Sequence, residues 1–191
     1  MKKITAAFAL LTLLAACSSE PTSRVKVDMN AGNKINLDVQ AVTFADRSGL
    51  QPANSPYNTQ RFQPTIAEAI KQWASDKLQA TGTAGDAIII VKDASLIAEA
   101  LPHGNDWFTR QQTSKYSAHA EVDIEVKGRA GAYAIASAQA SRFETLPENP
   151  TEAERQNAYA NLLNGLMRDL GQAIQSSINQ HLRQFVVNAP R

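Results

Sequence analysis

Cysteine is nearly absent from this chain. Cys17 is the only one in 191 residues, which excludes an intrachain disulfide. Histidine is scarce too. His103, His119 and His181 are the full set, and they are scattered without the spacing of metal ligands, so no metal site is expected. A surplus of one charge is missing. Nineteen Lys and Arg stand against 18 Asp and Glu, a formal net charge of +1. Nucleic-acid-binding domains carry a basic surplus, so that class is not expected. No G-x-S-x-G stretch occurs, and no Walker-type or G-x-G-x-x-G phosphate loop. No apolar run reaches the ~20 residues that span a bilayer. What remains is an ordinary globular composition, 43% hydrophobic and 19% charged. Such a chain can bury a real core without a disulfide or a metal.

The position of the lone cysteine has a local explanation. Met1-Lys2-Lys3 is a short basic start. Residues 4–14 form an apolar run of the length of a signal-peptide core. Leu14-Ala15-Ala16-Cys17 follows, and this resembles the lipobox of bacterial lipoproteins. The resemblance implies that the Cys17 thiol receives a diacylglyceryl group, that cleavage precedes Cys17, and that the new amino terminus is acylated, palmitate being the usual chain. The alternative is a plain secretory signal with an incidental cysteine. Losing Lys2 and Lys3 leaves 17 basic against 18 acidic side chains, a mature charge of −1. Each buried methylene contributes roughly 0.8 kcal/mol, so several acyl chains make a firm anchor. Ser18 rather than Asp follows the cysteine. By the enterobacterial sorting pattern this implies the outer membrane, on its periplasmic face.

The chain is therefore divided into residues 1–16 as signal peptide, 17–34 as lipidated tether and 35–191 as one α+β periplasmic domain. The tether has an r.m.s. reach of roughly 22 Å if flexible. Val25-Lys26-Val27 could instead open a strand. Apolar residues alternate over 35–44 with a phase shift near Ala41, which predicts one strand with a bulge. Residues 46–63 are rich in turn formers and predict a loop. Pro64 suits the first turn of a helix that carries Ile66, Ala69, Ile70, Trp73 and Leu78 and stops at Thr81-Gly82 and Gly85. Residues 87–91 are a β-branched run, read as a central strand continuing towards Ala98. Residues 102–113 predict a second loop. Residues 118–126 alternate strictly, "KGRAG" supplies a turn, and residues 132–143 return with an all-alanine face against which a helix is expected. Thr151 and Glu154 form a capping box that opens a long amphipathic helix to Phe185, bent at Gly165 or Gly171 or projecting at its end. The fold predicted is α+β, a mostly antiparallel sheet of about four strands packed against two helices in the order β-α-β-β-β-α. If the first helix is a crossover between parallel strands, the first two strands are neighbours or nearly so.

This layout resembles the YajG-type envelope lipoproteins of Gram-negative bacteria. The likeness rests on the lipobox cysteine, a strand ending in Asp46-Arg47 within "VTFADRSG", the amphipathic helix, the hairpin and the long last helix. It implies location and fold and no chemistry. The function expected is a non-enzymatic binding or accessory role in envelope assembly or maintenance. The alternative is a lipid-binding accessory subunit of an envelope transport complex. No cofactor is expected, and the partner would be an envelope protein or lipid. Two loops offer candidate partner-binding residues. "LPHGNDWFTRQQ" carries Trp107, Phe108 and Arg110, types favoured at interaction hot spots, although both rings could fold over a sheet edge instead. The earlier loop carries Arg47 and Tyr57, with Asp46-Arg47 also readable as a structural pair. The carboxylate row Glu121, Asp123 and Glu125 could hold a cation or be a solvated face beside Lys115, Lys127 and Arg129.

Overall fold

The computed structural model describes residues 25–27, 33–49, 62–102 and 112–187. Its centre is the strand whose sequence alternates most strictly, β5 (Gln112–Lys127; the full set of labels follows in chain order). From Ser114 to Val126 every second residue of β5 is buried, and the residues between them are only partly exposed. The chain order is β1 (Ile35–Leu37), β2 (Ala41–Asp46), α1 (Ile66–Lys77), β3 (Leu78–Ala80), β4 (Asp86–Ala100), β5, β6 (Tyr133–Pro147) and α2 (Glu152–His181). The main sheet has the order β2-β4-β5-β6. β2 runs parallel to β4, with α1 as the crossover, and the other pairs are antiparallel. The fold is α+β, with both helices on one face of the sheet. The expected adjacency of the strands flanking the first helix holds.

The alanine face of β6 does what its sequence suggests. Ala134, Ala136, Ala138 and Ala140 point to the helical side, and α2 lies over them. The α2 stripe of Leu162, Leu163, Leu166, Leu170, Ile174 and Ile178 is fully buried. Each such side chain contributes roughly 1.5–3 kcal/mol relative to exposure. Thr151 accepts from Glu154 N at 3.2 Å while the Glu154 carboxylate accepts from Thr151 N at 2.8 Å, so the capping box is complete. The glycines of α2 do not break it. A Cβ on Gly165 would lie 3.1 Å from Arg142 Cδ, and one on Gly171 would lie 3.1 Å from Trp73 Nε1. Their lack of side chain gives room to Arg142 from the sheet and Trp73 from α1. Arg142 reaches past Gly165 to Asp169, donating from Nε at 2.6 Å and from its second nitrogen at 3.1 Å. That hydrogen-bonded pairing holds the Asp169 carboxyl below its ordinary range.

Four expectations change. The alternation over residues 35–44 is two strands rather than one bulged strand. β1 pairs in parallel with β3 in a separate two-stranded sheet, and β2 belongs to the main sheet. The phase shift near Ala41 is the chain passing from one sheet to the other. The first helix begins at Ile66, with Thr65 rather than a turn at Pro64 as its cap. Thr65 and Glu68 form a second capping box. That helix ends at Lys77, because Leu78, Gln79 and Ala80 extend to pair with Ile35, Asn36 and Leu37. Tertiary pairing overrides the helical spacing of Leu78. Finally, α2 stops at His181 and spans about 45 Å at 1.5 Å per residue. Its end does not project. Leu182 and Phe185 turn back into the core. Phe185 O accepts from Asp38 N, and Val187 N donates to Asn36 O, each at 2.8 Å.

The start of the described chain lies against the domain. Val25 N donates to Gln63 O at 2.8 Å, and Val25 and Val27 pack on the core without forming a strand. Nearby, Phe62 stacks on Tyr159 at 4.5 Å and meets Tyr116 edge-on at 5.6 Å. The Tyr159 hydroxyl donates to Pro64 O at 2.7 Å, and burial pushes its pKa up.

Gly85 fixes the start of β4. It has φ +84°, and a Cβ there would collide with the Lys127 carbonyl oxygen. Gly85→Ala is therefore expected to cost about 1–3 kcal/mol, read as a lower urea midpoint with an unchanged slope.

Candidate functional site

Both helices cover the same face of the sheet, so the other face is the largest surface left to consider. Its residues follow from strand parity. β5 contributes Lys115, Ser117, His119, Glu121, Asp123, Glu125 and Lys127. β4 would alternate regularly but for a bulge between Val91 and Asp93. Val91 points inward opposite Val122, inward packing resumes at Ala94 opposite Ala120, and the extra residue lets both Lys92 and Asp93 turn outward.

That bulge sets the electrostatics of the face. Asp93 stands opposite Glu121, two like charges in one cross-strand pair. Lys92 is set between the carboxylates, bridging Glu121 and, at 3.2 Å, Asp123. Its hydrogen bonds to Glu121 and then Asp123 raise the Lys92 pKa above the ordinary 10.5. Burial raises the pKa of the Tyr133 hydroxyl, and the Glu125 charge adds to the effect. His119 Nδ1 and Ser141 Oγ lie 2.7 Å apart across β5 and β6. Lys115 pairs with Glu99 at 2.8 Å rather than with the carboxylate row. Glu121 and Asp123 are thus tied to a lysine that the sequence reading did not connect to them. The sequence carries no local sign of the bulge that brings it there. Among the described residues, no group of three or more His, Cys, Asp or Glu side chains is placed to hold a metal ion.

The same face carries exposed apolar side chains: Ile97 (52% exposed) from β4, and Tyr133 (51%), Ile135 (39%) and Phe143 (66%) from β6. Ile97, Ser117 and Phe143 form one cross-strand row, with Lys115 Nζ 6.0 Å above the Phe143 ring. Tyr133 and Ile135 lie at the opposite end of β6.

Of the sequence-predicted site residues, Cys17, Tyr57, Trp107, Phe108 and Arg110 lie outside the described residues, as does His103. Arg47 is described. It is exposed at the end of β2, and its N–H donates to Val91 O at 2.8 Å. Asp46 accepts from Ser48 N at 3.0 Å and Ser48 Oγ at 2.7 Å, so the strand end is closed by an Asp-Ser turn. β4 ends at Ala100, nine residues beyond Val91 and roughly 30 Å further along the strand, and β5 begins at Gln112, so Gln112 and Thr113 of the predicted second loop are strand. Arg47 and the base of that loop are therefore not brought together. A small polar cleft of about 260 Å³ lies elsewhere, lined by Val25, Gln63, Pro64, Glu68 and Gln72. Among the described residues no helix is long and apolar enough to cross a membrane.

No protein-family model matches the chain, and no curated protein does. Solved structures of small bacterial lipoproteins are similar to it. A minor lipoprotein from Acinetobacter baumannii is 14% identical over 80% of this chain and 99% of that one, with a TM-score of 0.41. Rare lipoprotein B from Shewanella oneidensis is 8% identical over 73% and 95%, with a TM-score of 0.40. Lipoprotein B from Nitrosomonas europaea is 14% identical over 76% and 86%, with a TM-score of 0.43. Likeness at this level is one of general layout only.

Lys92 offsets carboxylates that otherwise repel one another. Lys92→Met is expected to lower the urea midpoint at low ionic strength, with the loss shrinking towards 1 M NaCl, where the screening length is about 3 Å. Because the folded-state pKa of Lys92 is raised, its contribution is complete below pH 10.5 and is lost only as pH climbs through the raised value.

Proposed function

We propose that this chain is a lipid-anchored lipoprotein of the Gram-negative envelope, held on the periplasmic side of the outer membrane, with a non-enzymatic binding or accessory role there. One observation carries the reading: a basic start, a short apolar run and Leu14-Ala15-Ala16-Cys17 occur in the order and spacing that lipoprotein maturation requires. Cys17 carries the lipid, and Ser18 after it favours the outer membrane. The YajG-type layout of the sequence agrees with this role. The domain behind the anchor supports binding rather than catalysis. Two of its outward carboxylates, Glu121 and Asp123, are engaged by Lys92, and its exposed apolar residues sit on the sheet face opposite the helices. Trp107, Phe108 and Arg110, in the loop that joins β4 to β5, are the residues proposed to meet the partner, an envelope protein or lipid.

Metabolic labelling with radioactive palmitate tests the anchor. The parent chain is expected to take up label and fractionate with outer membranes, and Cys17→Ser to lose both. Label retained in Cys17→Ser would refute the assignment. Photo-crosslinking in cells tests the loop. A crosslinking residue in place of Trp107 is expected to yield a specific adduct that the same residue at Glu125 does not. Equal adducts at both positions would overturn the loop's role.

A further inference from the structure

Among the described residues one edge of the main sheet is unpaired, and the side chains along it follow a self-matching pattern. β6 is the last strand in the order β2-β4-β5-β6. It runs for 15 residues, and among the described residues nothing pairs with its other side. Proteins normally blunt such edges with charge, proline, bulges or short length. Residues 133–141 of β6 contain no charge and no proline. Its two charged residues, Arg142 and Glu144, have the inward parity, and Arg142 is held by Asp169. Ala134, Ala138 and Ala140 are partly buried beneath α2, so the helix lies under the strand and leaves its backbone edge unpaired among the described residues.

The pattern on the outward face is symmetric about Gln139. Ile135 lies four residues before it and Phe143 four residues after, with Ser137 and Ser141 two residues to either side. Both apolar residues are well exposed in the single chain. Antiparallel pairing of two β6 strands around Gln139 sets Ile135 opposite Phe143 twice, Ser137 opposite Ser141 twice, and Gln139 opposite itself. Tyr133 faces Thr145 and is the diagonal neighbour of Phe143, within reach of a ring. On the inward side Ala138 meets Ala140, Ala136 meets Arg142 and Ala134 meets Glu144, so no like charges oppose each other. The register spans residues 133–145, roughly 43 Å of strand at about 3.3 Å per residue.

We propose that the partner of the β6 edge is a second copy of this chain, joined antiparallel about a two-fold axis at Gln139 into a continuous eight-stranded sheet. Three of the four exposed apolar residues of the open face are covered in this pairing. A self-matching pattern is what a two-fold interface requires, because each residue must complement its counterpart in the same surface. The reading is independent of the anchor and of the β4–β5 loop.

Cysteine crosslinking in membranes carrying the full chain tests it, with the parent protein, which retains Cys17, as background. Gln139→Cys under mild oxidation is expected to give a disulfide-linked species of twice the mass. Ser176→Cys, on the exposed side of α2, is expected to give none above background. Ser137→Cys and Ser141→Cys are each expected to be silent alone and to crosslink when combined, which fixes the register. In detergent, sedimentation equilibrium is expected to show dimers that Phe143→Lys weakens by about tenfold; because Phe143 is exposed, its loss spares the monomer's core. A monomer at all concentrations with no Gln139→Cys crosslink would overturn the proposal. So would a Gln139→Cys adduct of any mass other than the dimer's, which would assign the edge to a different chain.

Discussion

The close approach of α2 to the alanine face of β6 is the contact on which the rest of the domain depends. Alanine at positions 134, 136, 138 and 140 leaves the leucine stripe of α2 free to reach across to the inner side of β5. Glycine at 165 gives Arg142 of β6 room in this approach, and glycine at 171 does the same for Trp73 of α1. Small residues on β6 and α2 thus place large ones elsewhere. The bulk of the core comes from β4, β5 and the sheet-facing sides of the helices. The price is a thin flank, since alanines cannot shield the edge of the strand that bears them.

This division explains why the two faces of the sheet differ so much. One face is apolar and closed. The other keeps ion pairs, hydrogen bonds and exposed rings in a single layer, with no helix above it among the described residues. Charged and polar groups on it pair off: Lys92 with Glu121 and Asp123, Lys115 with Glu99, and His119 Nδ1 with Ser141 Oγ. A face arranged in this way resists forming random contacts at its centre. Its exposed apolar residues, Ile97, Tyr133, Ile135 and Phe143, lie towards the strand ends and along β6.

The sequence is most legible where one side of an element is buried and the other is wet. β5 is visible from alternation alone, and α2 from its capping box and leucine spacing. The alanine face correctly foretells a helix above it. The T-x-x-E signal at Thr65 and Glu68 is equally readable, and it places the helix cap one residue after Pro64. What is not legible depends on distant partners. β3 exists because β1 lies beside it, and three residues of Leu-Gln-Ala hold no strand pattern of their own. The bulge that turns Lys92 outward leaves no mark in a run of β-branched residues. Of the candidate binding residues only Arg47 falls within the described structure, where it stands apart from the base of the later loop.

The small β1–β3 sheet has a mechanical meaning. β1 is only three residues long, and it is clamped between β3 and the chain's last described residues, through the Leu37–Val186 bridge and the bonds from Asp38 and Val187. Tension arriving from the N-terminal side meets the contacts of Val25 and Lys26 first, Val25 N with Gln63 O and Asn164 Nδ2 with Lys26 O, and then this clamp. The load is thus spread over two sets of hydrogen bonds before it reaches the main sheet.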